Sequence, residues 1–99
     1  MYEFFSDASK IYRVTVTQDG VAVDIRNNTV RMVLHSTSGS DSQVITADVA
    51  TSGETGIAIL QCDFTVSPGI YDVEIDYIVS DKVYVQQRMV WKCLARIEE

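Results

Sequence analysis

The chain has 99 residues, 46% of them hydrophobic, which is enough for a single core in a domain of ordinary size. Eight basic residues against fourteen acidic ones leave a net charge of −6. This balance argues against binding a nucleic-acid backbone and against docking on anionic lipid, since both need a basic surface. Two cysteines, Cys62 and Cys93, are too few and too far apart for a zinc knuckle or a secreted disulfide framework. The opening residues, Met1 to Asp7, place an acid where a signal peptide would be basic, and no segment is long enough to span a membrane. The expected compartment is the cytoplasm, or a particle assembled there.

Residues 1–9 read as an aromatic, acidic N-terminal arm. Residues 10–17 are rich in β-branched side chains and alternate, with Tyr12, Val14 and Val16 expected to face a core. Gln18-Asp19-Gly20 is a turn, because Asp-Gly supplies the positive φ of a tight hairpin. Residues 21–25 resume extended structure, and Arg26-Asn27-Asn28 breaks it. Residues 29–36 put Val30, Met32 and Leu34 on one face and Arg31, Val33 and His35 on the other. Residues 36–42 form a polar loop. Residues 43–49 alternate again, and a second turn cluster follows at 51–56. Residues 57–66 carry Ala58, Leu60, Cys62, Phe64 and Val66 on one side, with Gln61, Asp63 and Thr65 on the other. Ser67-Pro68-Gly69 closes that strand.

Tyr71-Asp72-Val73-Glu74-Ile75-Asp76-Tyr77 then alternates strictly, with odd positions apolar and even ones acidic. Successive side chains of a strand point to opposite faces, so this run has one greasy side and one charged side. Ser80-Asp81-Lys82 turns the chain into a last strand over residues 83–94, and residues 95–99 form a tail. The tally is about seven strands with turn signals roughly every ten residues, the pattern of an antiparallel β-sandwich. The chain is therefore expected to be one all-β domain, with residues 10–94 as the sandwich.

Several constellations can be weighed for chemistry. His35 stands near Ser36, Ser38, Ser40 and Asp41, but those serines lie on a polar loop without the rigid support a nucleophile needs. Asp72, Glu74 and Asp76 line one face at a spacing that diverges from any single point, so a solvated face is expected rather than a metal site. Cys62 and Cys93 share the inward parity. They can be a buried bridge with Trp91 beside it, or two free thiols acting as small hydrophobes; a cytoplasmic chain favours the second. Tyr2, Phe4 and Phe5 lie outside the alternating strands. Either they fold back onto the open end of the same domain, or they pack on a partner, and they are the candidate partner-binding residues. No catalytic residue, metal or cofactor is expected.

Three signatures carry a resemblance. The first is Val14-Thr15-Val16-Thr17-Gln18-Asp19-Gly20, with Val23-Asp24-Ile25 and Thr29-Val30-Arg31-Met32-Val33-Leu34 after it. The second is Gly56-Ile57-Ala58-Ile59-Leu60, and the third is Ser67-Pro68-Gly69-Ile70-Tyr71-Asp72-Val73-Glu74-Ile75. In this order, over about residues 12–79, they resemble the immunoglobulin-like domain at the N-terminus of phage baseplate upper proteins and similar domains of phage head and tail fibres. The resemblance implies an immunoglobulin-like β-sandwich and a non-enzymatic structural role in a phage or prophage particle. It would be a capsid, neck or baseplate attachment module, bound to other virion structural proteins and oligomeric, assembled in the host bacterial cytoplasm. The alternative is a sandwich that binds cell-surface glycan or peptide, with Tyr84 contributing, and Tyr12 as well if it faces outward.

Overall fold

The computed structural model describes residues 2–95. The tail expected at 95–99 therefore lies outside the described residues except for Ala95. Among the described residues the chain is strand throughout, apart from loops and one 3-10 turn at Gly53–Thr55. The strands are β1 (Tyr2–Phe5), β2 (Ser9–Thr15), β3 (Thr17–Gln18), β4 (Val21–Ala22), β5 (Thr29–Ser36), β6 (Ser42–Thr46), β7 (Ile57–Asp63), β8 (Gly69–Val79) and β9 (Lys82–Leu94).

Five strands form one sheet in the order β1-β9-β8-β5-β6, while β2 pairs with β7 and β3 with β4. The alternation of each strand explains how these sheets meet. β5 buries Val30, Met32 and Leu34; β8 buries Tyr71, Val73, Ile75 and Tyr77; β9 adds Trp91 and Cys93. β2 and β7 meet them with Val14, Ala58, Leu60 and Cys62 in one apolar cluster. Burial keeps the same rhythm beyond the end of β7, with Phe64 and Val66 buried and Thr65 exposed. Tyr12 is partly buried and meets the Trp91 ring edge-on at 5.7 Å, as expected of an inward residue.

One segment differs from the sequence reading. Residues 21–25 are not one strand: only Val21–Ala22 pairs, in a short hairpin with Thr17–Gln18. Ile25 is fully buried, yet it is held by a hydrogen bond from its N–H to Gly53 O at 2.9 Å rather than by a ladder. The N-terminal arm folds back on its own domain, one of the two courses expected for it, and does so as a strand. Tyr2–Phe5 is an edge strand, paired parallel with β9 so that Tyr2 lies beside Trp91 and Phe4 beside Cys93. Parallel pairing of the chain's two ends leaves no turn signal between them, so local pattern does not announce it.

The corner before β8 is fixed by polar contacts. The Tyr71 hydroxyl donates to Ser67 O at 2.6 Å, and Ser67 N–H donates to the Asp41 carboxylate at 3.1 Å. Hydrogen bonding from Ser67 holds the Asp41 carboxyl below its ordinary pKa. Burial pushes the Cys62 thiol up to about 11 and raises that of Cys93. Both stay as free, buried thiols, whose sulfurs lie 3.7 Å from Leu60 O and 3.8 Å from Val66 O.

Gly56 closes the 3-10 turn at φ 81°, a left-handed conformation that L side chains avoid. A Cβ there would lie 2.9 Å from Val16 O and 3.0 Å from Val23 O, both backbone atoms. Gly56→Ala therefore combines dihedral strain with a clash that no side chain can relieve. It should lower unfolding free energy by about 2 kcal/mol or more, read from urea denaturation at unchanged slope.

Candidate functional site

The side of the five-stranded sheet that faces away from the core is built in cross-strand rows. His35 of β5, Asp72 of β8 and Val90 of β9 form one row. Val33, Glu74 and Arg88 form the next, with Val44 of β6 beside Val33. Arg31, Asp76 and Val85 form the third. Between the first two rows lies an open hollow of about 580 Å³ whose lining includes Val33, His35, Asp72, Glu74, Arg88 and Val90. Among the described residues, five of the eight large exposed hydrophobics belong to this outward side by strand alternation: Phe5, Val44, Val83, Val85 and Val90.

The three carboxylates of β8 do not share one environment. Asp72 is exposed and Glu74 is partly covered, but Asp76 is only 2% exposed, so the expected uniformly solvated face is corrected at this position. Arg31 Nε lies 3.5 Å from Asp76 Oδ2, and Arg88 Nε lies 3.6 Å from Glu74 Oε1. The other Asp76 oxygen, Oδ1, is buried without a hydrogen-bond partner. An unmet buried acceptor is costly. The pKa of Glu74 is raised, first by hydrogen bonding to Asp76 and then by burial, against the pull of Arg88 and Arg31. The β-bulge that disturbs β9 opposite Ile75 and Asp76 marks the same place.

The residues singled out for chemistry are distributed around the molecule. His35 is exposed on the outward side. Asp41 is turned to Ser67 and Tyr71, and the Ser36 hydroxyl accepts from Ser38 N–H at 3.4 Å, so the His, Ser and Asp letters do not converge. Among the described residues no group of three or more His, Cys, Asp or Glu side chains is arranged to hold a metal ion. Tyr84 is 44% exposed beside Tyr77, while Tyr12 faces the core, so the two tyrosines of the glycan reading are not brought together.

Tyr2, Phe4 and Phe5 play three different parts. Phe4 is buried, with its ring 4.2 Å from that of Phe64 and 6.0 Å from Trp91. Tyr2 lies 4.6 Å from Trp91, and Lys10 Nζ sits 4.4 Å over the Tyr2 ring. Phe5 is 49% exposed. Phe4 thus belongs to the chain's own core and Phe5 alone is largely open to a partner. Sequence reasoning missed the exposed valines of β9, which single-residue inspection treats as ordinary strand formers; their signal is that the apolar runs Val83-Tyr84-Val85 and Met89-Val90 put apolar side chains on both faces of the strand.

Comparison with protein-family models, with curated proteins and with solved structures returned no match.

Phe4→Ala should cost about 3 to 5 kcal/mol of stability, as for a buried aromatic ring, whereas Phe5→Ala should change it by less than about 0.5 kcal/mol. Chemical denaturation of both variants separates the two roles. A raised glutamate pKa means that the folded state holds its proton more tightly than the unfolded state does. The contribution of Glu74 is therefore full below its ordinary pKa of 4.5 and is lost as pH rises through the folded titration. Glu74→Gln, which cannot ionise, should gain stability relative to the parent chain as pH increases above 4.5, measured by urea melts across a pH series.

Proposed function

We propose that this chain is a non-enzymatic structural module of a phage or prophage particle, an attachment or adaptor unit of capsid, neck or baseplate that works through protein–protein contacts. The observation that carries the binding role is the outward side of the five-stranded sheet. It sets five exposed apolar side chains among partly paired charges, on a chain of net charge −6. Scattered exposed apolar residues need no explanation, but a set gathered on one sheet face is what an interface presents. The phage setting comes from the resemblance carried by the segments at 14–34, 56–60 and 67–75.

We further read the fold as an immunoglobulin-like sandwich. Supporting it are the sheet order β1-β9-β8-β5-β6 opposed to the β2–β7 pair, with an N-terminal strand parallel to the last one. The Tyr71 hydroxyl bond to Ser67 O, four residues upstream at the start of β8, is the contact a tyrosine corner makes in such domains. Partners on this reading are other virion structural proteins, met in a symmetric assembly where many modest contacts add up.

The test is incorporation. A tagged parent chain produced alongside the particle should sediment with it. A variant carrying Val44→Asp and Val90→Asp should fall by roughly tenfold in the particle fraction while melting like the parent, because a charge buried unpaired at an interface is costly. A parent chain that stays wholly in the free fraction overturns the reading.

A further inference from the structure

We propose that the uncovered side of β9, over residues 82–90, accepts an extended strand from a partner protein, and that this strand alternates apolar and acidic residues. The inference rests on the attachment reading above and names the edge and the partner chemistry it would use.

β9 is the longest strand, yet β1 covers only the residues from Trp91 to Leu94 on its outer side. From residue 82 to 90 its one strand partner among the described residues is β8. The Leu94 carbonyl accepts from Ser6 N–H on the β1 side, so alternation turns the main-chain groups of Val90 and Arg88 the same way. The register shift leaves Gln86 as the extra residue, which switches the parity and turns Val85 and Val83 outward in their turn. Val83, Val85 and Val90 are also 51%, 49% and 45% exposed. Unpaired main chain and exposed apolar side chains thus coincide on one edge, the combination that natural sheets normally blunt. The opposite edge is covered differently. Gln43 of β6 donates to Asp63 O at 2.7 Å and accepts from Thr65 N–H at 3.0 Å.

Charge selects the occupant. β9 reads Lys-Val-Tyr-Val-Gln-Gln-Arg-Met-Val-Trp-Lys-Cys-Leu, with three basic residues and no acid, in a chain that is otherwise acidic. A second β9 would set like charge against like and meet the bulge twice. Each strand that pairs with β9 sets one acid against one of its bases: Glu74 lies opposite Arg88, and Glu3 lies beside Lys92. An added strand collinear with β1 would repeat that match. Its inward side chains would lie over a mainly polar hollow of about 310 Å³ whose lining includes Tyr12, Arg13, Thr15, Thr17, Gln86 and Gln87, at the open edge of β2. Main-chain bonds then supply affinity, and the alternation supplies selectivity.

The probe is a capped eight-residue peptide alternating valine and glutamate, titrated into the full chain at neutral pH and low salt. Binding should slow amide exchange at Val83, Val85, Arg88 and Val90 by roughly tenfold or more, while a valine–lysine peptide should leave exchange unchanged. Val85→Pro removes one outward N–H without touching the β8 ladder and should weaken binding at least roughly tenfold. Should that variant melt early, Arg88→Ala serves in its place, with a loss of similar direction. The proposal is overturned if the glutamate peptide does not bind, if both variants bind like the parent, if protection falls on β2 instead, or if the chain alone dimerises through β9. Particle sedimentation keeps the two levels apart. A Val85→Pro chain incorporated like the parent sinks strand addition and leaves attachment standing. A parent chain absent from the particle but protected by the peptide does the reverse.

Discussion

A slip of one residue in β8 would drive Asp72, Glu74 and Asp76 into the core and expose Tyr71, Val73, Ile75 and Tyr77. That asymmetry fixes the register of the strand on which the sheet is built. β8 sits between β5 and β9, so its register sets theirs, and through β9 it sets the position of β1. The Tyr71 hydroxyl pins the start of the same strand to Ser67, which keeps the corner from sliding along its own alternation. Apolar burial supplies most of the driving force, at roughly 25 cal/mol per Å² removed from water, but the acidic side decides which of two possible burials occurs.

The same acidic side limits how the outward face can be used. Arg31 and Arg88 each stand near one carboxylate, and Asp72 has none of these partners. Asp76 is nearly enclosed, and hydrogen bonding to it raises the pKa of Glu74. The face therefore carries paired charge in the rows of Glu74 and Asp76 and an unpaired carboxylate in the row of Asp72, with Val85 and Val90 exposed beside them. Charges that are already neutralised internally make a sheet face easier to cover, because less is left to desolvate.

Much of this arrangement is legible in the residues. Val30, Met32 and Leu34, the run from Ala58 to Val66, and the odd positions of β8 all point inward as their alternation requires. The Asp19-Gly20 turn has positive φ at both residues, as a tight hairpin between β3 and β4 demands. What escapes the pattern is whatever depends on distant partners. Ile25 is apolar and buried, but Gly53 holds it, and Gly53 gives no hint of this in sequence. Asp76 has the same parity as exposed Asp72, and what sets it apart lies on other strands: the bulge in β9 and the Arg31 guanidinium 3.5 Å from its Oδ2. Phe4 is an inward residue of a strand four residues long, too short for periodicity to reveal.

The pairing of Tyr2 with Trp91 joins the first described residue to one near the far end of the chain. A loop of that span is costly in entropy to close, and contacts so remote in order form late. On a ribosome, Phe4 would emerge early and wait for the whole domain to be made before its seat beside Phe64 and Trp91 could be completed. Until then β1 has no strand to pair with, and the Phe4 side chain stays uncovered. Synthesis order thus leaves β1 as the strand that waits, while β9 finds its parallel neighbour already made.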